Sequence, residues 1–148
     1  MIRESSMSEK EVNRLMDVWL KSVKLGHSFI PYTYWEQEYK AVRNEYLPNS
    51  KTFVYEEQGE IKGFISMIGE EFIGALFVDV PYQKQGIGKK LMEYAKEKHS
   101  SLKLAVYCRN ETAVRFYKGN GFQVECIEKN EETGEDNYIM GWKGDFPE

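Results

Sequence analysis

One stretch of the sequence decides the fold, and it reads Val78-Asp79-Val80-Pro81-Tyr82-Gln83-Lys84-Gln85-Gly86-Ile87-Gly88-Lys89-Lys90-Leu91. In it an apolar strand runs into a short loop, two glycines follow in a G-x-G spacing, and an amphipathic helix begins directly after them. Glycine lets a backbone approach a ligand closely, and the free N–H groups at a helix N-terminus point outward with the positive end of the helix dipole. The stretch therefore predicts a backbone cradle for an anion such as a pyrophosphate, with Lys84 and Lys89 available for charge-assisted contacts.

The G-x-G spacing alone leaves a plainer interpretation open, in which the glycines only allow the strand and the helix to pack tightly. Two other phosphate-binding motifs are excluded by the residues themselves. A P-loop requires G-x-x-x-x-G-K-[ST], whereas here a single residue separates the glycines and Lys90 follows Lys89. A dinucleotide fingerprint requires a third glycine three residues further on, where this chain has Leu91.

The elements around this stretch predict an α/β fold with a mixed sheet, in the order ααβββαβαββ. Hydrophobic periodicity and capping residues predict four helices, and short β-rich runs between turn residues predict six strands. The unit from 72 to 107 is a strand–helix–strand crossover, which predicts a parallel, right-handed connection. The helices are expected over 8–26, 34–46, 86–99 and 110–119, and the strands over 52–55, 61–68, 72–80, 102–107, 122–128 and 138–142.

Composition narrows the class of protein. A chain of 148 residues predicts a single domain over residues 1–148. Its 20 Lys and Arg against 24 Asp and Glu give a net charge of −4, which argues against nucleic-acid binding. The two cysteines and two histidines have no metal-ligand spacing, so no metal is expected. Because the apolar runs are far shorter than the about 20 residues of a membrane span and the start of the chain is charged, we expect a cytoplasmic protein without membrane contact.

A second stretch, Asn110-Glu111-Thr112-Ala113-Val114-Arg115-Phe116-Tyr117-Lys118-Gly119-Asn120-Gly121-Phe122, adds a second motif. Together, Q-x-x-G-x-G after one strand and N-x-x-A-x-x-F-Y-x-x-x-G-F after the next resemble the GNAT superfamily of N-acetyltransferases. The resemblance is specific from Phe72 to Phe122 and consistent elsewhere, since the family begins with two helices and ends with a β-hairpin. Trp19, the pair 22–23 and the stretches 27–30 and 75–79 are similar to those of a bacterial subgroup that includes proposed lysine acetyltransferases.

The resemblance implies an acyl-CoA N-acyltransferase fold and acetyl-CoA as the cosubstrate. It implies that the backbone of the strand before the glycine loop holds the pantetheine arm, that amides of the loop hold the pyrophosphate, and that Asn110 contacts the arm through its side chain. The strand residues are Leu76, Phe77 and Val78, and the loop residues are Lys84, Gln85, Gly86, Ile87, Gly88 and Lys89.

The resemblance also implies that Tyr117 is the general acid that protonates the departing thiolate. A phenol with a pKa of about 10 is a suitable donor to a thiolate whose acid has a pKa of about 8.5 to 9. The alternative role for Tyr117 is that of an aromatic core residue beside Phe116.

The general base is open, because Ala105 occupies the strand position where some members of the family carry a carboxylate. Glu71 is a candidate that would act through water, and His27 is a candidate because its ordinary pKa lies near neutrality. The alternative role for Glu71 is that of a solvated surface carboxylate, and for His27 that of an imidazole that packs in the loop. A third explanation is that desolvation of the amine suffices and that no residue acts as the base. The chain also departs from the family at Lys84, a position that often holds glycine.

The acceptor pocket is expected between the first two helices, their connecting loop and the terminal hairpin. The aromatic residues expected there are Trp19, Phe29, Tyr32, Trp35 and Tyr138. Aromatic walls in an acidic chain suit a cationic amine. The candidate partners are an amine-bearing small molecule, a protein lysine and a protein N-terminus, and the protein is expected to be a monomer or a homodimer.

We therefore expect an enzyme that transfers acetyl from acetyl-CoA to a primary amine by direct attack in a ternary complex. The alternative is a non-catalytic coenzyme-A-binding sensor module. Transfer to an aminoacyl-tRNA is disfavoured because the chain has no basic stripe. An acyl-cysteine on Cys108 is disfavoured because no base is paired with it in the sequence.

Overall fold

The computed structural model describes residues 1–144, which form one seven-stranded mixed sheet with helices on both faces. A π-helical turn spans Val42–Tyr46, and a 3-10 turn spans Val80–Tyr82. The strands are β1 Ile2–Glu4, β2 Lys51–Glu57, β3 Glu60–Ile68, β4 Phe72–Val78, β5 Ser101–Tyr107, β6 Gln123–Lys129 and β7 Asp136–Lys143. The helices are α1 Glu9–Gly26, α2 Tyr32–Ala41, α3 Ile87–Lys98 and α4 Glu111–Gly119.

The sheet order is β1-β2-β3-β4-β5-β7-β6. Strands β1 to β4 pair antiparallel, β4 and β5 pair parallel, and β5, β7 and β6 pair antiparallel. The predicted parallel crossover through α3 is therefore confirmed, and the mixed sheet with it. None of the helices within residues 1–144 is both long and apolar enough to cross a membrane.

Local capping rules explain where the helices begin. The Ser8 hydroxyl accepts a hydrogen bond from the Glu11 N–H at 3.3 Å and caps α1, as the sequence predicts. The spacing from Ser8 to Glu11 is that of a capping box, but the Glu11 carboxylate does not bond back to the Ser8 N–H. It accepts from the Ser6 N–H at 3.0 Å and from Arg3 instead. Arg3 also contacts Glu56, so this network holds β1 against α1 and β2.

One hydrophobic core lies on each face of the sheet. One lies between the sheet and α3 and α4, with Ile65, Leu91 and Met140 among its fully buried residues. The other lies between the sheet and α1 and α2, with Leu15 and Phe64 at its centre. Each strand in the middle of the sheet thus contributes alternate side chains to two different cores.

The apolar run from 72 to 80 predicts a central strand that is buried on both faces, and this prediction is wrong in part. The strand, β4, is central in the sheet, but Phe72 is 36% exposed and the residues from 75 to 78 are only half-buried. It also ends at Val78, since Asp79 accepts a hydrogen bond from the Val80 N–H and begins the 3-10 turn. The exposure arises because β4 and β5 separate, and this separation creates the candidate site.

Candidate active site

A gap between β4 and β5 divides the sheet. In the part of the chain that the structure describes, a single backbone pair, Phe72 with Lys103, joins the two strands. From Ile73 onward β4 is paired only with β3, so its other edge has no strand partner within residues 1–144. An unpaired strand edge offers N–H and C=O groups to an extended ligand, as in β-strand addition. Residues 76 to 78, expected to hold the pantetheine arm, lie along this edge.

The loop after β4 places free backbone amides where the sequence predicts an anion cradle. Gly86 has a left-handed backbone, with φ of +82°, and directly precedes α3. The first helical hydrogen bond of α3 runs from the Lys90 N–H to the Gly86 carbonyl at 3.0 Å, so the amides of residues 87 to 89 lack helical partners. Side chains of Lys84, Gln85 and Lys89 are exposed around them. Free amides, a helix N-terminus and two lysines together suit a pyrophosphate.

The two glycines of the motif differ in backbone conformation and in surroundings. A Cβ on Gly86 would meet no atom within 4 Å, so its left-handed conformation, rather than packing, requires glycine there. A Cβ on Gly88 would lie 3.4 Å from the Phe116 ring, which is an ordinary van der Waals distance, so packing against α4 does not by itself require glycine there. Lys84 has a φ of +65°, which explains why glycine suits the same position in the family.

An ion pair between the buried Asp79 and the partly exposed Arg14 anchors the start of this loop. The Asp79 carboxylate is buried and accepts from the Arg14 guanidinium at 2.8 Å and from the Val80 N–H at 3.0 Å. Arg14 also donates to the Ile61 carbonyl, so the end of β4 is tied to α1 and β3. This pair was not predictable from the sequence, because residues 65 positions apart leave no local signal.

Tyr117 lies on α4 with its ring packed against Phe116 and Phe122, at centroid distances of 5.5 and 5.9 Å. Burial raises the pKa of Tyr117 to about 12. The phenol is therefore protonated at neutral pH, and its hydroxyl makes no hydrogen bond with any residue from 1 to 144. Both expected roles are compatible with this position, because the ring belongs to the core and the hydroxyl is free to donate.

Asn110 and His27 meet through their side chains. The Asn110 Oδ1 accepts from the Ala113 N–H at 3.3 Å and caps α4, while its Nδ2 lies 3.1 Å from His27 Nε2. His27 is 8% exposed, and its Nδ1 lies 3.0 Å from the Val23 carbonyl. Burial lowers the pKa of His27 despite that hydrogen bond. Both ring nitrogens are occupied, so His27 lacks the free nitrogen that a general base needs.

Glu71, the other candidate base, lies just before β4. Its carboxylate accepts a hydrogen bond from the Ser101 hydroxyl at 2.7 Å, beside Lys98 and His99 at the C-terminal end of α3. The structure therefore places Glu71 with α3 and does not bring it together with the aromatic residues of α1 and α2.

Three of the five predicted acceptor residues come together. The rings of Trp19 and Trp35 meet edge to face at 6.1 Å, both 7% exposed, and Phe29 joins them through His27 and Tyr107. Tyr32 lies apart and is 59% exposed, beneath the Lys24 ammonium. Tyr138 packs in the core on the α3 and α4 side.

An acidic rim that was not predicted from the sequence is formed by Glu38 and Glu132, where the β6–β7 loop meets α2. The Tyr34 hydroxyl donates to the Glu132 carboxylate at 3.0 Å. Burial and the neighbouring Glu132 charge raise the pKa of Glu38. Tyr107, the last residue of β5, lies beside Tyr34 and accepts from Asn130 at 3.2 Å. The acidic run from 130 to 136 was a signal for this rim, but we predicted only a hairpin turn from it.

A mainly apolar cavity of about 220 Å³ opens between α1, the π-helical turn and strands β3 and β4. Of the predicted acceptor residues only Trp19 lines it, and Phe72 and Ala75 bring its wall to the start of the gap. Within residues 1–144, no cluster of three or more His, Cys, Asp or Glu side chains is placed to hold a metal ion.

Comparisons with known proteins give a family match over most of the chain. The model of the family described as "Acetyltransferase (GNAT) domain" matches residues 6–140. The chain is 38% identical over 142 residues to peptidyl-lysine N-acetyltransferase YiaC of Escherichia coli (strain K12), covering 96% of each chain. It is 36% identical over 124 residues to peptidyl-lysine N-acetyltransferase YjaB of Salmonella typhimurium, covering 83% of each.

Solved structures show the same fold. The solution structure of apo YjaB from Escherichia coli matches with a TM-score of 0.84 and 28% identity, covering 97% of each chain. The crystal structure of the PaiA N-acetyltransferase of Thermoplasma acidophilum, in complex with coenzyme A, matches with a TM-score of 0.75 and 21% identity over 97% of this chain and 99% of that one.

Proposed function

The chain belongs to the GNAT family of acetyltransferases and is an acetyl-CoA-dependent N-acetyltransferase, and from this premise we propose that its acceptor is the ε-amino group of a protein lysine. The observation that carries the acceptor class is the acidic rim, Glu38 and Glu132, beside the aromatic rings of α1 and α2. Carboxylates at the mouth of a site raise the local concentration of cations, and aromatic faces favour them further. The relatives named as peptidyl-lysine N-acetyltransferases support the same acceptor.

Acetyl-CoA is proposed to lie along the free edge of β4. Its pyrophosphate would bind the amides of residues 84 to 89, and its pantetheine arm would run along residues 76 to 78 toward the start of the gap. The Asn110 side chain would contact the arm from α4. The arm thus takes the place of a paired strand, and its amides satisfy backbone groups that β5 leaves unpaired.

The proposed reaction is direct transfer within a ternary complex. The neutral lysine amine attacks the thioester carbonyl, the tetrahedral intermediate expels the coenzyme A sulfur, and Tyr117 gives that sulfur its proton. The amine releases its own proton to water, and the Tyr117 phenolate regains one from solvent. No dedicated base takes part in this proposal, because His27 has no free nitrogen and Glu71 lies with α3.

Without a base, the rate depends on the small fraction of the acceptor amine that is already neutral in solution. With a lysine pKa of about 10.4, only about 0.4% of the acceptor is neutral at pH 8. The value of kcat/KM for the acceptor should therefore rise about tenfold per pH unit from pH 7 to 9. Because the pKa of Tyr117 is raised to about 12, the acid stays protonated over that range.

The first test uses blocked peptides with one lysine, the same peptides with arginine instead, and peptides whose only amine is the N-terminus. Tyr117→Phe should lower kcat at least about 100-fold without changing the Kd for coenzyme A. Tyr94→Phe, on the face of α3 beside Phe53, is the matched control and should be unaffected. Acetylation of the N-terminal amine alone would contradict the lysine acceptor. Coenzyme A binding without transfer to any amine would favour the sensor module.

The acidic rim is tested separately. Glu132→Gln should raise KM for a lysine peptide with basic neighbours by about threefold to tenfold, and added salt should diminish the difference. Glu128→Gln is its control, since Glu128 is exposed on β6 and makes no side-chain hydrogen bond or ion pair with the residues from 1 to 144. Equal KM values for the two variants would contradict the role of the rim.

We also propose a cytoplasmic location. Cys108 and Cys126 are free thiols, the second of them exposed, which is usual in a reducing compartment.

A further inference from the structure

We infer that His27 is a positioning residue for the cofactor, which orients the Asn110 amide across the gap between β4 and β5. The inference rests on the proposed contact between Asn110 and the pantetheine arm. It assigns to His27 a role other than that of a base, and it concerns acetyl-CoA affinity rather than proton transfer.

The hydrogen bonds fix the protonation of the imidazole. The Val23 carbonyl can only accept, so the 3.0 Å contact requires the proton of His27 to be on Nδ1. A neutral ring then carries a lone pair on Nε2, and the only group on Asn110 that can donate to it is the amide Nδ2 at 3.1 Å. Burial disfavours the charged imidazolium and maintains this arrangement.

The same bonds fix the Asn110 amide from both ends. Its oxygen accepts from the Ala113 N–H, and one of its two N–H groups donates to His27. The amide therefore cannot rotate by half a turn without losing both contacts. One N–H and one oxygen lone pair are left in a defined direction, which is the state that a ligand carbonyl or amide requires.

The position of this hydrogen bond in the fold makes it a link across the gap. His27 follows α1, which packs over β3 and β4, whereas Asn110 follows β5 and begins α4. The imidazole is packed among the rings of Phe29, Trp35 and Tyr107, at centroid distances of 5.7, 5.3 and 5.0 Å. Tyr107 is the end of β5, so the ring also contacts the far side of the gap directly.

Two conservative variants separate the two hydrogen bonds of His27. The amide of glutamine reaches the position of Nε2, so His27→Gln can still accept from Asn110 and loses the bond to Val23. The amide of asparagine reaches only the position of Nδ1, so His27→Asn keeps the bond to Val23 and loses Asn110. Each variant removes one buried hydrogen bond, and we expect similar losses of thermal stability.

The two variants should differ in cofactor binding. By isothermal titration with coenzyme A, His27→Asn should raise Kd about fivefold to tenfold, whereas His27→Gln should stay within about twofold of the wild type. The KM for acetyl-CoA should follow Kd, and kcat at saturating acetyl-CoA should be unchanged. In an Asn110→Ala background, His27→Asn should have no further effect on Kd.

Each other result overturns the inference. If Asn110→Ala weakens coenzyme A but His27→Asn and His27→Gln have equal Kd values, Asn110 contacts the arm without help from His27, and the proposed function stands. If kcat falls in both His27 variants while Kd is unchanged, His27 acts in proton transfer. If Asn110→Ala leaves Kd unchanged, the cofactor role of Asn110 in the proposed function fails together with the inference.

Discussion

Replacing Asp79 by asparagine tests how the start of the cofactor loop is held. Asp79 is 5% exposed and contacts the Arg14 guanidinium at 2.8 Å, and the Arg14 side chain is 24% exposed. Asparagine keeps the shape and the bond from the Val80 N–H but leaves the arginine charge without its buried partner. Breaking a fully buried pair costs about 3–5 kcal/mol. Since Arg14 is partly exposed and retains the Ile61 carbonyl, we expect a loss of about 2 kcal/mol of unfolding free energy.

Urea denaturation followed by tryptophan fluorescence measures this loss. For a domain of this size, about 2 kcal/mol lowers the urea midpoint by about 1 M. Asp17→Asn is the matched control, because Asp17 contacts the same guanidinium at 3.1 Å but is 45% exposed. A surface pair of that kind contributes less than about 0.5 kcal/mol. Equal midpoints for the two variants would refute the reasoning that burial, and not the contact itself, determines the contribution of the Arg14 pair.

Three further predictions concern backbone geometry and pH. Because Lys84 has a φ of +65°, Lys84→Gly should be about 1 kcal/mol more stable in urea than Lys84→Ala, and equal midpoints would contradict the left-handed backbone. Arg3 lowers the pKa of Glu11 to about 2, so the stabilisation from Glu11 is complete above its ordinary value of 4.5 and is lost as pH falls toward 2. After screening this is about 2 kcal/mol of unfolding free energy, which Glu11→Gln should abolish; an acid profile unchanged in that variant would argue against the Arg3 pair. A Cβ at Gly63 would lie 2.9 Å from the Phe77 carbonyl, so Gly63→Ala should shift β4. We expect a loss of about 2 kcal/mol of unfolding free energy in urea and a higher Kd for coenzyme A in titration. A wild-type Kd in this variant would contradict the cofactor path along β4.

Local sequence rules predicted the elements that surround the site. Helix α3 begins directly after Gly86, where the sequence predicts it, and Asn110 caps α4 through its side chain, as its residue type predicts. Both signals are contained in a few neighbouring residues, so they can be recognised without knowledge of the fold. The parallel pairing of β4 and β5 follows equally from the strand–helix–strand order.

Features that depend on distant partners were not predictable in the same way. Strand β1 has only three residues, and Arg3 stabilises it through Glu11 and through Glu56, which is 53 positions away. The apolar run of β4 indicates burial on both faces, but it cannot show that β5 diverges after one backbone pair. His27 was identified as a titratable residue in an aromatic loop, whereas its neutral, doubly bonded state depends on Asn110, 83 positions away.

The gap explains why long-range side-chain contacts matter so much in this molecule. One backbone pair joins the two halves of the sheet at β4 and β5, and the hydrogen bonds His27–Asn110 and Tyr34–Glu132 connect the α1–α2 side to the far half. A single hydrogen bond contributes about 0.5–1.5 kcal/mol, so these two links are weak compared with a complete strand pairing. Coenzyme A bound along β4 would supply the missing pairing, and at about 100 times its Kd it adds about 2.7 kcal/mol to the free energy of unfolding. Cofactor binding should therefore protect the amides of β4 and β5 from hydrogen exchange more than those of β1 and β2, because only the former pair borders the gap.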